Sequence, residues 1–336
     1  MTFIKMADYD IFIEPGGLSQ LPKLIQKVHK GKNLFIVTDQ NLYDLYAQNL
    51  SDCLSEFFVR FVCVKPGEKS KSLTTYQSVI NTFIEMGIKR SDMIVAFGGG
   101  VVGDLAGFVA ATLYRGIPFI QVPTSLLSMV DSSIGGKVGI DLEQGKNLIG
   151  TFYNPKFVFI DPHFLTTLPK RDYHNGLAEM IKAGLIRDKK LYQFLLEYDT
   201  VGEIEIAQAI QVKRELVLND PKDQNERMLL NFGHTFGHAI EKKHHYETYL
   251  HGEAISYGML IALEVGVTLG ETKVELYEEV KNLLLRRQLV KLPLLKQEDY
   301  RDQIIHDKKF LDDGLHFVIV TKPGDAKIVV LRPEDL

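Results

Sequence analysis

The chain is poor in the residues that would commit it to a specialised class. Only two cysteines, Cys53 and Cys63, occur in 336 residues. They form no CxxC pair and no disulfide framework, which excludes a stapled secreted scaffold and fits a reducing cytoplasm. Neither sign of charge dominates: the net charge is -4 and the pI about 6.2. No global pull toward nucleic acid follows, although local basic residues can still favour a small anionic substrate. Long apolar runs are missing as well. The most apolar stretch, "AISYGMLIALEVGVTLG" at 254–270, is shorter than a membrane span and contains Glu264, so a buried helix is expected there. The first residues, "MTFIKMADYDIFIEPGG", lack the basic-then-apolar layout of a signal peptide. Internal repeats and low-complexity segments are absent, and so are HExxH and the Walker pattern.

What is present is an ordinary globular mix, 45% hydrophobic and 24% charged, long enough for one large domain or two ordinary ones. The first half alternates between two periods. "NLFIVTD" (33–39), "FFVRFVCV" (57–64), "MIVAFGGG" (93–100), "PFIQVP" (118–123) and "FVFID" (157–161) are short β-branched and aromatic runs bounded by turn residues. Between them, "SLTTYQSVINTFIEMG" (72–87) spaces its apolar residues as a helix does. The pattern predicts a Rossmann-like α/β domain with a parallel sheet, an architecture that seats nucleotides at the carboxyl ends of its strands. After "TLPKRDYHNG" (167–176) helical periodicity takes over, which predicts an all-α second domain apart from a small hairpin around "KPGDA" near the end. The boundary is placed near 165, giving domains 1–165 and 166–336.

"VAFGGGVVGDLAG" (95–107) follows a strand and opens a helix. Three consecutive glycines let the backbone approach a ligand closely, and the helix N–H groups that follow suit a pyrophosphate. Asp39 ends an earlier strand, where a carboxylate can accept ribose hydroxyls, and Glu68 and Lys71 follow the next.

Five of the ten histidines fall within 229–256. His234 and His238 are four apart and share a helical face, and His251 follows after a loop. Three histidines suit a catalytic zinc site with one open position, and a carboxylate could equally replace one of them. Glu179 is the preferred acid, because "GLAEMIKAG" otherwise buries its charge on an apolar helix; Lys182, three residues on, offers a plain ion pair instead. Gly233, Gly237 and Gly252 suggest close backbone approach around the imidazoles. His244 and His245 follow two lysines and read as solvated. The stretch 121–155 is polar, with Asp131 before Gly135-Gly136-Lys137 and with Lys146-Asn147 repeating the theme; Arg115, Lys213, Arg227 and Asn231 can add to an anion site.

Together "GGGVVGDLAGF", "RGIPFIQVPTSLLSMVDSSIGGK", "GKNLIGTFYNP", "GLAEMIKAG", "NFGHTFGHAIE" and "LHGEAISYGM" strongly resemble the 3-dehydroquinate synthase family, over most of the chain and in the same order. The resemblance implies an NAD-binding α/β domain, a helical domain, and an active site between them. It implies NAD, a divalent metal (Zn or Co), a sugar-phosphate substrate, and no nucleic-acid or membrane partner. By motif position the metal ligands become Glu179, His234 and His251, and His238 moves to a catalytic or substrate role. NAD contacts become Asp39, Glu68, Lys71, Gly100, Val101, Val102, Gly103, Asp104, Thr124, Ser125, Lys146, Phe164, Leu165, Thr166 and Thr167, with Lys137 beside them. Substrate contacts become Asp131, Lys137, Asn147, Lys182, Lys213, Arg227, Asn231 and His238, with one of Lys308 and Lys309. Arg115 resembles an arginine that reaches a neighbouring subunit's site, which implies a homodimer. Ser125 stands where the family often has threonine. Neighbouring readings are another sugar phosphate cyclase, an NAD- and metal-dependent polyol dehydrogenase, or a non-enzymatic nucleotide- or metal-binding protein.

Overall fold

A computed structural model describes residues 1–220, 225–305, 310–311 and 314–332. The chain divides into two compact units, Met1–Leu168 and Pro169–Leu336.

The first unit opens with strands β1 (Thr2–Lys5) and β2 (Asp10–Ile13), followed by α1 (Leu21–Val28), β3 (Asn33–Asp39), α2 (Gln40–Cys53), β4 (Phe58–Val64), α3 (Leu73–Glu85) and β5 (Met93–Gly98). Then come α4 (Gly100–Thr112), β6 (Phe119–Pro123), a hairpin of β7 (Lys137–Leu142) and β8 (Gly145–Phe152), and β9 (Phe157–Ile160). Seven strands form one sheet in the order β1-β2-β9-β6-β5-β3-β4, parallel except for β1. Helices cover the sheet, so its central strands are continuous apolar runs: all six residues of β5 are buried. Leu105 and Val109 of α4 pack with Phe35, Val79, Phe83 and Ile94 in one core cluster, and burying each such side chain contributes about 1.5–3 kcal/mol. From β3 the chain steps outward to β4, then returns to lay β5 on the other flank of β3. The carboxyl ends of β3 and β5 therefore border the topological switch point, where open α/β sheets bind ligands.

Two of the expected strands, 93–100 and 157–161, end earlier than the sequence suggests. The run 93–100 stops at Gly98, because Gly99 caps the next helix and Gly100 begins it. The ribbon β7–β8 was read only as a polar stretch. Most of β8 is exposed, so it lacks the apolar alternation that marks a strand.

The second unit contains α5 (Lys170–Ile186), α6 (Lys189–Glu197), α7 (Glu203–Asn219), α8 (His234–Lys243), α9 (His251–Thr268), α10 (Val274–Arg286) and the short α11 (Arg301–Ile305). The apolar stretch at 254–270 is the buried α9, with Glu264 on its exposed side. In addition to the helices there is a three-stranded sheet of β10 (Phe310–Leu311), β11 (Gly314–Lys322) and β12 (Asp325–Leu331). Its last two strands are the hairpin expected around "KPGDA", closed by Pro323 and by Gly324 at φ 83°. Among the described residues no helix is long and apolar enough to cross a membrane.

Candidate functional site

In the first unit Asp39 ends β3 and caps α2, its Oδ1 accepting the Leu42 N–H at 3.1 Å. Gly99 lies one residue beyond β5, and Gly100 to Asp104 form the first turn of α4, with Val102 and Gly103 buried. Thr124 joins the two strand ends by donating its N–H to the Gly98 carbonyl at 3.1 Å. A Cβ on Gly99 would meet only Ser125 Oγ, at 3.4 Å, and one on Gly100 would meet Ser132 Oγ at 2.9 Å. Ser132 Oγ is buried and makes no protein hydrogen bond. A hydroxyl without a protein partner beside a helix N-terminus suits an anionic group of a dinucleotide.

Four of the residues assigned to NAD meet around one buried ammonium. Lys71 Nζ lies 2.9 Å from Asp104 Oδ2 and 3.6 Å from Glu68 Oε1, and Lys146 Nζ lies 3.9 Å from the same Glu68 oxygen. A fifth member, Asp141 at 3.7 Å, was not expected from sequence. It sits in β7, and its Oδ1 accepts the N–H of Asn147 at 2.7 Å, which holds Asn147 at φ 56°. Burial opposes the Lys71 charge, yet the three carboxylates outweigh it and raise its pKa. Burial likewise raises the pKa of Asp104 and Asp141, against the pull of Lys71.

Phe164, Leu165, Thr166 and Thr167 lie in the 3₁₀ helix Pro162–Thr167. Phe164 is buried with its ring edge-on to Phe97 and Tyr46, and Thr167 Oγ1 is 2.6 Å from the Tyr46 hydroxyl. Asp131 lies in the π-helical turn Ser128–Ser132, and Lys137 opens β7 with its side chain exposed. Arg115 is exposed at φ 63°, just before Gly116.

In the second unit Glu179, on α5, is 4% exposed on a helix whose surrounding positions are apolar. Its Oε1 lies 3.3 Å from Nε2 of His234, which opens α8, and 3.3 Å from Nε2 of His251, which opens α9. Its Oε2 lies 2.5 Å from Lys182 Nζ. Donors held about 2.0–2.2 Å from a tetrahedral zinc stand roughly 3.4 Å apart, so one oxygen and two imidazole nitrogens at this spacing fit such an ion. Burial works against the Glu179 charge, but Lys182 and the two imidazoles hold its carboxyl well below the usual range. Burial lowers the His234 pKa, and Lys182 adds to the effect.

Glycines set the approach of these helices. Gly233 caps α8 at φ 77°, and a Cβ on Gly258 of α9 would fall 1.9 Å from the Gly233 carbonyl oxygen. That explains the glycines flanking the histidines.

His238 is exposed, with its ring centroid 5.3 Å from His234 and 6.2 Å from His251. It does not meet Glu179; its possible ligand atom groups with Glu241 and His251 instead. Glu241, buried and 3.6 Å from His251 Nδ1, was not singled out in the sequence. The available signal was its spacing, three residues past His238 and seven past His234. Asn231 ends the 3₁₀ helix Glu226–Asn231, so the helical face of His234 does not extend back to it. Arg227 is buried in that turn, its N–H donating to Asp220 Oδ2 at 3.3 Å, and Lys213 is half-buried on α7. The 226–231 turn packs against both α5 and α7. Lys308 and Lys309 lie outside the described residues. His244 is a correction: it is half-buried, with Nε2 3.2 Å from the Tyr300 hydroxyl.

Comparison with known proteins gives a consistent pattern. Residues 61–175 match the family described as 3-dehydroquinate synthase N-terminal, and 176–310 match 3-dehydroquinate synthase C-terminal. The 3-dehydroquinate synthase of Clostridium acetobutylicum is 44% identical over 329 residues, covering 95% of this chain and 92% of that one. The enzyme of the same name from Clostridium botulinum is 41% identical, covering 96% and 95%. Among solved structures, the 2-epi-5-epi-valiolone synthase of Streptomyces hygroscopicus subsp. jinggangensis, with NAD+ and Zn2+ bound, superposes with a TM-score of 0.88 at 26% identity, covering 100% and 96%.

Proposed function

The chain belongs to the 3-dehydroquinate synthase family, and from that premise we propose which of its residues carry the reaction. It is a carbon–oxygen lyase that converts 3-deoxy-D-arabino-heptulosonate 7-phosphate to 3-dehydroquinate and phosphate, a step of the shikimate pathway. NAD supplies a reversible hydride acceptor, and a divalent metal supplies a Lewis acid for the substrate hydroxyls.

Glu179, His234 and His251 hold the metal. The convergence of Glu179 Oε1 with two Nε2 atoms at 3.3 Å each is the observation that carries this reading. Lys182 fixes the second carboxylate oxygen, so the acid offers one oxygen to the ion. In the first unit the Gly99–Gly100 turn and the start of α4 receive the pyrophosphate, and Asp39 receives a ribose. Glu68, Lys71, Asp104 and Lys146 form a charged wall that orders the loops around the dinucleotide. Phe164 to Thr167 close the cofactor's other flank.

The substrate carries a carboxylate and a phosphate, and the cations suited to them are Lys137, Lys213 and Arg227. Arg227 is buried, and a guanidinium is a fork of fixed donors suited to an anion. His238 is exposed beside the metal ligands and can exchange a proton with substrate through its ring nitrogens. Asn231, Asn147 and Asp131 hold hydroxyl groups. A homodimer fits the exposed Arg115, which serves the partner's substrate, and the two free cysteines fit a reducing cytoplasm.

The test uses the enzyme with NAD, zinc and the heptulosonate phosphate, following inorganic phosphate and absorbance at the NADH band. Phosphate release without lasting NADH is expected. A stoichiometric rise in NADH would mark a dehydrogenase and reject the assignment.

A further inference from the structure

His234 and His251 present equivalent atoms to Glu179, but their other ring nitrogens face different partners. Nδ1 of His234 is 3.1 Å from the Phe232 carbonyl oxygen. That oxygen can only accept, so with an ion on Nε2 the ring proton sits on Nδ1. Nδ1 of His251 faces Oε1 of Glu241 at 3.6 Å. The His251 ring is thus flanked by two carboxylates, Glu179 on the Nε2 side and Glu241 on the Nδ1 side.

We infer that Glu241 is a positioning residue: its carboxylate keeps the His251 proton on Nδ1 and turns Nε2 toward the ion, as the Phe232 carbonyl does for His234. The inference rests on the metal set proposed above. Two further observations favour it. Glu241 is 3% exposed, and a buried carboxylate is costly unless a partner compensates it. It also lies two helical turns beyond His234 on α8, on the stripe that faces the histidines. A ligand imidazole fixed through its far N–H by a carboxylate is a general device for setting ring orientation and donor strength.

The same atoms allow a different arrangement, since donor atoms of His238, Glu241 and His251 all lie within 4.8 Å of one another. A second ion there would need His251 to bind metal through both nitrogens and surrender its ring proton. The exposed His238 gives such an ion only one further nitrogen. The positioning role needs neither concession.

The experiment compares wild type, Glu241→Met, Glu241→Gln and His251→Ala. Zinc affinity is measured by chelator competition, bound ions are counted by elemental analysis, and the visible bands are recorded after cobalt loading. Wild type should hold one ion. Glu241→Met, which fills the space without an acceptor, should bind zinc about 10–100-fold more weakly and shift the cobalt bands. Glu241→Gln, whose amide oxygen still accepts the Nδ1 proton, should stay within about threefold of wild type with unchanged bands. Wild-type affinity and bands in Glu241→Met would overturn the inference. So would two ions in wild type falling to one in that variant. If Glu241→Met does not fold, a tenfold or greater loss in Glu241→Gln overturns it instead. A different result, zinc retained at full occupancy by His251→Ala, would defeat the underlying ligand set, and the two failures are thereby told apart.

Discussion

Lys182 Nζ lies 2.5 Å from Glu179 Oε2, with both side chains 3% exposed and one helical turn apart on α5. The lysine thus answers one oxygen of the acid while the histidines answer the other. The plain ion pair and the metal ligand are two uses of a single carboxylate. Removing one partner of a buried pair leaves an uncompensated charge, which costs about 3–5 kcal/mol.

Lys182→Met should therefore destabilise the metal-free protein by an amount in that range. Zinc should restore part of the loss, because the ion supplies positive charge next to Glu179. Urea unfolding with chelator and with excess zinc measures both. Equal losses in the two media would separate the lysine from the metal centre.

Lys71 Nζ lies 3.7 Å or less from carboxylate oxygens of Glu68, Asp104 and Asp141 in the first unit's charged cluster, and its charge is favoured there. Lys71→Met should cost about 3 kcal/mol in denaturant unfolding, since three acids then crowd together. It should also weaken NAD binding. A variant as stable as wild type would mean that solvent already screens these carboxylates.

Gly99 separates folding from binding. It sits at φ −73°, and an added Cβ meets only Ser125 Oγ at an ordinary 3.4 Å. Gly99→Ala should keep the thermal midpoint and raise the NAD dissociation constant about tenfold, because the methyl occupies the ligand's side of the turn. Calorimetric titration with NAD reads the effect. Unchanged affinity would move the dinucleotide away from this turn.

Stability should fall in mild acid partly through His29. Burial lowers its pKa below the usual 6.5, against the opposing pull of Asp92, and its Nε2 is buried without a hydrogen-bond partner. A lowered folded pKa means that the unfolded chain takes up the proton first. The contribution is therefore complete above about pH 6.5 and is lost as pH falls toward the folded value. His29→Leu should flatten the decline in urea midpoint between pH 7.5 and 5. An unchanged slope would assign the decline to other groups, such as His174, whose pKa is also lowered by burial.

The parallel sheet was legible because its central strands are buried on both faces and so read as apolar runs; β3 was located to the residue at 33–39. The ribbon β7–β8 was not, because exposed strands carry no such run. Asp141 was missed for the same reason, since its role arises only when the ribbon folds against Lys71. Among the histidines, i, i+4 spacing suggested that His234 and His238 act as a pair. Spacing along one helix could not show that Glu179 of another helix would select His251 instead. Glu241 escaped because its partner's ring nitrogen belongs to a separate element.

The contact of Gly258 with the Gly233 carbonyl has a further bearing on how this protein can change over generations. At Gly258 the helices that carry the two imidazoles meet main chain against main chain, with no side chain to enlarge or trim at that point. Replacing Gly258 by any other residue would force α8 and α9 apart beside the two histidines, because the added carbon meets backbone that cannot move aside alone.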